Sequence, residues 1–131
     1  MPQFGALVTN GQEELASLAY LVTMEWAQAN AAVTAELGAY FEAQIQELAA
    51  EFPQSLAGAD GWRHMTTLRF ADLRRAEAFA AELNRRGLDI SAQTYKADCP
   101  PVVLTKLPLI ADWEAIDFVI GAMRQALSGL N

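Results

Sequence analysis

The sequence has 131 residues, of which 53% are hydrophobic and 19% are charged, and its formal net charge is −7. This length and composition predict one compact domain spanning residues 1–131, and the acidic balance disfavours nucleic acid and membrane surfaces as partners because both are negatively charged. A single cysteine excludes an internal disulfide, and neither a leader pattern nor a membrane-spanning apolar run is present, so we expect a cytoplasmic protein.

The first half of the chain is predicted to be helical. Asn10 and Glu13 form a start resembling a capping box, and apolar residues then recur at intervals of three and four. This stripe contains Leu15, Leu18, Val22, Trp26, Val33, Leu37, Phe41, Ile45 and Leu48. An unbroken helix to Glu51 would be about 60 Å long, which is too long for a domain of this size. We therefore predict a bend within residues 27–32 and a helix end before Pro53.

The second half is predicted to alternate strands and helices. Residues 54–61 contain turn-forming residues and are expected to be a loop, whereas "WRHMTTLRF" at 62–70 alternates like a strand. Asp72 is expected to cap the next helix, and Gly87 is expected to end it in the left-handed conformation.

Two further strands and one helix complete the prediction. The strands are "LDISAQ" at 88–93 and "VVLTKLPL" at 102–109, and Asp112 is expected to cap the last helix. The predicted fold is α+β: a small, mainly antiparallel three-stranded sheet covered by helices in two layers, with a long bent N-terminal helix.

The sequence contains no self-sufficient catalytic or metal-binding set. His64 and Cys99 each stand alone, and no histidine or cysteine pair has ligand spacing. A single strand histidine is more often a packed residue than a base, and no basic neighbour suggests activation of Cys99. Lys106 stands out because it is one of two lysines and lies in the most apolar run. It is open to three interpretations: a Schiff-base nucleophile, a ligand contact, or an outward residue of an alternating strand.

Four phrases, in order, resemble the C-terminal small domain of the class III, ornithine/acetylornithine-type aminotransferases, which depend on pyridoxal phosphate and have fold type I. "FGALVTNG" stands where that family has a phrase like "TFGGNP", and "NAAVTAELGAYF" matches the helix that follows. "AEAFAAELNRRGLDIS" is similar to the family's helix-to-strand step, and "VVLTKLPLIADWEAIDFVIGAMRQAL" to its C-terminal strand and helix. The resemblance covers nearly the whole chain.

The resemblance implies that this chain is catalytically incomplete on its own. In the family, the lysine that binds the cofactor covalently lies in a large domain upstream, so Lys106 does not correspond to it. We expect no catalytic and no cofactor-binding residue here, and no pyridoxal phosphate bound to this chain alone. The implied role is to close over and shape the substrate pocket of a parent aminotransferase, with the missing large domain as partner and a homo-oligomer as the assembly.

Two departures from the family bear on the cofactor phosphate and on the substrate. Gln3 occupies the place of a family threonine that reaches the cofactor phosphate of the neighbouring subunit. Leu104 aligns with a family arginine that often clamps a substrate carboxylate, so the substrate is expected to lack a carboxylate at that point.

Lys106 then has two interpretations. Alternation puts it on one face of the strand with Val102 and Leu104. In the first interpretation, Lys106 ends the strand and its aliphatic stem covers apolar surface. In the second, Leu104, Thr105 and Lys106 form the rim of a substrate pocket.

The alternative function is a stand-alone protein-interaction module of the same fold. In that case the apolar stripe within "ELASLAYLVTMEW", residues 14–26, would bind a partner protein. Because the same stripe would be left open without a large domain, we also predict that the isolated chain self-associates. The region upstream of the coding sequence distinguishes the two functions. An aminotransferase domain requires that this region encode a large domain with a reactive lysine, whereas a stand-alone module does not.

Overall fold

The structure is a computed structural model, and it describes residues 14–93 and 100–130. The predictions for Gln3, Asn10, Glu13 and Cys99 therefore lie outside the described residues. The chain divides into two compact units, Met1–Ala32 and Val33–Asn131. Within the described part of the chain, no helix combines the length and the apolar character needed to cross a membrane.

The first unit contains helix α1, Glu14–Ala29, and the start of helix α2, Ala31–Glu51, which continues into the second unit. The two helices are separate elements because Asn30 interrupts them, inside the segment in which the sequence predicts a bend. Both the backbone N–H and the side-chain amide of Asn30 donate hydrogen bonds to the carbonyl of Trp26. The backbone bond is the regular i→i−4 bond of a helix, and the side-chain amide shares the same carbonyl. Asparagine favours such local side-chain bonds and has a low helix propensity, in keeping with a break at this residue.

The second unit contains a four-stranded antiparallel sheet with three helices. The strands are β1, Leu56–Trp62, β2, Met65–Phe70, β3, Ala92–Gln93, and β4, Val102–Lys106, in the spatial order β1-β2-β4-β3. Helix α3, Leu73–Arg85, and helix α4, Trp113–Ser128, join the greater part of α2 in packing on the sheet. The predicted α+β class is confirmed, but the predicted count of three strands is one too few.

The missing strand is β1, which sequence patterning assigns to a loop. Its residues "LAGADGW" include two glycines and no β-branched residue, so its strand propensity is low. Both Gly58 and Gly61 have positive φ angles, and the register of β1 with β2 shifts between Leu56 and Gly58. Pairing with β2 therefore overrides local propensity. The predicted strand at 62–70 is a hairpin in which Arg63 and His64 form the turn.

One face of the sheet is buried against the helices. In β2 the buried residues alternate as Thr66, Leu68 and Phe70, and in β4 they alternate as Val103 and Thr105. The helices contribute the other large buried side chains: Leu37, Phe41, Ile45, Leu48, Phe79, Leu83, Ile116, Ile120, Met123 and Leu127. This layer fixes the register of β2 and β4, because a shift by one residue would expose the apolar set.

Local capping signals are realised as predicted. The carboxylates of Asp72 and Asp112 accept hydrogen bonds at 2.9 Å from backbone N–H groups in the first turns of α3 and α4. Gly87, at φ 86°, ends α3, and the N–H of Leu88 donates to the carbonyl of Leu83. This is the Schellman arrangement, and it directs the chain away from α3 towards β3.

Candidate binding site around the end of strand β4

The three residues that the sequence suggests as a pocket rim lie at the end of β4. Thr105 is buried on the helix-covered face, Leu104 is half-buried, and Lys106 is exposed. The alternation predicted for this strand is therefore confirmed. Thr105 pairs with Thr66 of β2, and Lys106 pairs with Met65 at the edge of the hairpin.

A cavity of about 270 Å³ has all three residues in its wall. Its other walls are mainly apolar side chains from the end of α3, from α4 and from the segments that flank β3 and β4. Asp89 is the acidic residue in this wall. The structure thus brings Leu104, Thr105 and Lys106 to one cavity, while their role in binding a substrate stays a prediction.

A second, more open groove of about 530 Å³ adjoins the tip of the hairpin. Its wall combines the hairpin residues Trp62, Arg63, His64 and Met65 with Lys106, and Leu107 and Leu109 complete it. Lys106 lines both cavities, because it is the last residue of β4 and stands beside the hairpin. Sequence patterning does not reveal this groove, because it assigns the two strands and the turn of the hairpin to a single strand.

The hairpin tip is fixed to its surroundings by three contacts. The backbone N–H of Arg63 donates to a carboxylate oxygen of Glu42 on α2 at 3.1 Å, and the carbonyl of His64 accepts from the N–H of Leu107 at 2.8 Å. The imidazole of His64 lies against the backbone of Gly38, where it occupies the space of a side chain. These contacts tie the groove wall to α2 and to the end of β4.

His64 lies in the turn, and not within a strand as the sequence pattern suggested. Partial burial lowers the pKa of His64, and the neighbouring charge of Arg63 lowers it further. Its Nε2 atom is buried and has no hydrogen-bond partner among the described residues. We therefore expect a neutral imidazole at neutral pH, which adds no positive charge to the groove.

Leu104 is the residue that the resemblance in sequence is expected to align with a carboxylate-binding arginine. It pairs with Thr67 across the sheet, on the face opposite the helices. Arg69 lies on the same face, but its Nε atom is 2.7 Å from a carboxylate oxygen of Asp60. Arg69 is therefore paired with Asp60 and is not a free guanidinium beside Leu104.

Neither cavity has the backbone features that usually hold the phosphate of pyridoxal phosphate. A phosphate group is usually held by backbone N–H groups at a helix N-terminus or in a glycine-rich turn, and neither cavity has a glycine or a first-turn helix residue in its wall. The carboxylate of Asp89 would also repel a phosphate in the smaller cavity. Within residues 14–93 and 100–130, no cluster of three or more histidine, cysteine, aspartate or glutamate side chains is placed to hold a metal ion.

No protein-family model matches the sequence, and no curated protein matches it. Solved structures do match. Lysine aminotransferase from M. tuberculosis aligns with a TM-score of 0.69 and 22% identity over 83% of this chain. A phospholyase from Arthrobacter, solved in complex with phosphoethanolamine, aligns with a TM-score of 0.73 and 16% identity over 85% of this chain. Acetylornithine aminotransferase from Elizabethkingia anophelis aligns with a TM-score of 0.62 and 15% identity over 73%.

These alignments cover only part of the larger enzymes. The chain spans 24% of the lysine aminotransferase, 28% of the phospholyase and 24% of the acetylornithine aminotransferase. At such low identity the likeness establishes the fold. This chain has the fold of about one quarter of a class III aminotransferase, as its resemblance in sequence predicted.

Proposed function

We propose that the chain is the small domain of a pyridoxal-phosphate-dependent aminotransferase, and that it closes over and shapes the substrate pocket of the whole enzyme. The observation that carries the proposal is the match to the lysine aminotransferase, which includes 83% of this chain but only 24% of that enzyme. The phospholyase neighbour carries a different reaction name on the same fold, so the assignment to amino transfer relies on the aminotransferase neighbours together with the sequence phrases.

The apolar surface of α1 supports a role as part of a larger assembly. None of its residues is buried, and Leu15 is 77% exposed. Leu18, Leu21 and Val22 are also largely exposed. A continuous apolar surface of this kind is unusual for a protein that functions alone, and a large domain or a sister subunit would cover it. The same surface suits the alternative, a stand-alone interaction module, so it does not decide between the two functions.

The large domain would supply the covalent cofactor chemistry, because neither cavity of this chain has a glycine-rich turn or a helix N-terminus for the cofactor phosphate. Pyridoxal phosphate acts as the electron sink in amino transfer. The contribution of this chain would be to exclude water and to present apolar walls, with Leu104 in the place of a carboxylate clamp and Lys106 beside it. We expect this assembly in the cytoplasm.

The test is to identify the coding sequence directly upstream of the one for this chain, and to express the protein that it encodes together with the chain. We expect a lysine-bearing large domain, co-purification of the two parts, and amino transfer only when both are present. A preceding region that encodes no such domain would favour the interaction module. As a control, the chain alone is incubated with an equal concentration of pyridoxal phosphate and then reduced with borohydride, and no stoichiometric adduct is expected on Lys106.

A further inference from the structure

The arginines and lysines of the described residues fall into two groups. Five of them lie within ion-pairing distance of a carboxylate: Arg69, Arg75, Arg85, Arg86 and Arg124. Three have no such partner within the described part of the chain: Arg63, Arg74 and Lys106. In a protein with 16 acidic and 9 basic residues, most of the described cations are therefore paired.

Two of these three cations lie in the wall of the hairpin groove. Arg63 and Lys106 both line it, and no acidic side chain does. The guanidinium of Arg63 lies 5.6 Å from the centre of the Trp62 ring, in a cation–π arrangement. The groove wall contains two cations and no carboxylate, on a protein of net charge −7. Outside the wall, the carboxylate of Glu42 lies 3.1 Å from the backbone nitrogen of Arg63, so Lys106 is the cation of the groove with no such contact among the described residues.

The rest of the groove wall is apolar and accessible. The indole of Trp62 is 71% exposed and the side chain of Met65 is 55% exposed. Trp62 pairs with Met65, and Met65 pairs with Lys106. The three residues therefore lie side by side in one row across the sheet. Neighbouring strands are about 4.8 Å apart, so the ammonium of Lys106 and the indole belong to one surface about 10 Å wide.

We propose that this groove binds a small organic anion that consists of a carboxylate and an aromatic or aliphatic body. Lys106 and Arg63 provide the charge complement of the carboxylate, and Trp62 and Met65 provide the apolar contact for the body. The groove volume of about 530 Å³ is within the range of small-molecule sites. The inference does not depend on the proposed function, since it concerns binding by this chain itself.

The test is an NMR titration of the isotope-labelled chain with 4-phenylbutyrate at constant ionic strength. We expect the largest shifts at the indole N–H of Trp62 and at the backbone of Met65 and Lys106. The neutral analogue 4-phenylbutyramide has the same body without the charge, and we expect it to bind several-fold more weakly. Equal affinity of the acid and the amide, or no shifts at the hairpin, would overturn the proposal.

Two variants distinguish an effect of the charge in the groove on binding of the acid from an effect of the protein's net charge. Lys106→Gln should weaken binding of the acid by about three- to fivefold and leave binding of the amide unchanged. Arg74→Gln is the matched control, because Arg74 is also unpaired but lies in a different cavity, beside Asp72 and Arg75. Equal losses in the two variants would mean that the acid responds only to overall charge, and that result would refute the site. The far-ultraviolet circular dichroism spectrum of each variant is compared with that of the wild type to check that the variant is folded.

Discussion

The imidazole of His64 fills the space that a side chain would occupy at Gly38. A Cβ atom built on Gly38 would lie 2.7 Å from both Cε1 and Nδ1 of His64, and 3.0 Å from Cβ of Arg63. Gly38 is buried within α2, in the middle of a helix where glycine is otherwise unfavourable. The close approach of the hairpin tip explains why a glycine stands there.

Gly38→Ala should therefore lower the free energy of unfolding. Alanine gains about 1 kcal/mol of helix propensity, but displacing the ring of His64 and the stem of Arg63 costs about 1–3 kcal/mol, so the net effect is a loss of up to about 2 kcal/mol. Gly121→Ala in α4 is the control, because nothing lies within 4 Å of its Cβ position, and it should stabilise the protein by about 0.5–1 kcal/mol. Denaturant unfolding measures both. A Gly38→Ala protein as stable as the Gly121→Ala protein would contradict this account of the contact.

The titration of His64 should make the protein less stable in mild acid. Its pKa is lowered in the folded state, so between the unfolded value of about 6.5 and the lower folded value the unfolded chain binds more protons. Stability from this group is complete above the unfolded pKa and is lost as the pH falls through the folded pKa. Unfolding measured from pH 7.5 down to pH 5 should show this loss in the wild type and a smaller loss in His64→Gln. Parallel pH profiles for the two proteins would show that His64 does not titrate as described.

Gly61 is required by the hairpin backbone. Its φ angle is 105°, and a Cβ atom there would lie 2.3 Å from the carbonyl oxygen of Met65. Gly61→Ala should destabilise the protein by more than about 2 kcal/mol, because backbone strain adds to a clash that no side-chain rotation relieves. Gly87→Ala is the matched control: its φ angle is also positive, at 86°, but its Cβ position is open. We expect a cost of about 1 kcal/mol there, and equal costs at the two glycines would rule out the clash.

These glycines also show where sequence reasoning stops. The caps of Asp72 and Asp112 and the stop at Gly87 depend on residues within one turn of each other, so the sequence predicts them. The role of Gly61 depends on the carbonyl of Met65, and that of Gly38 on a ring that belongs to the hairpin. Such requirements become visible only when the pairing of strands and helices is known. Strand β1 was missed for this reason.

The same distinction applies to the candidate site. Alternation along β4 predicts that Leu104, Thr105 and Lys106 end the strand with Lys106 exposed, because the strand period is a local property. The hairpin groove required the antiparallel pairing that brings Trp62 and Met65 next to Lys106. The alternation of residues 62–70 is imperfect at Met65. This irregularity lies directly after the turn at Arg63 and His64, so it is the feature of the sequence that could have indicated the hairpin.

Tyr40 should ionise at a higher pH than an ordinary tyrosine. Its hydroxyl donates a 2.6 Å hydrogen bond to a carboxylate oxygen of Asp117, and this bond, with smaller contributions from burial and nearby negative charge, raises its pKa. The stabilising effect is complete below the unfolded pKa of about 10 and is lost as the pH rises through the folded value. Spectrophotometric titration of the three tyrosines should show one late component. That component should disappear in Tyr40→Phe and shift to lower pH in Asp117→Asn; its persistence in Tyr40→Phe would assign it elsewhere.

The exposed apolar surface of α1 should make the isolated chain self-associate. Leu15, Leu18 and Val22 recur at helical spacing and are all largely exposed, so contact between two copies would remove apolar area from water. Sedimentation velocity over increasing concentration should show a rising average mass for the wild type. Leu18→Glu should remain monomeric at the same concentrations. Ser17→Glu introduces the same charge at an exposed position one residue away, outside this apolar row, and should still associate. A monomeric wild type at high concentration, or equal behaviour of the two variants, would show that this surface of α1 does not drive association.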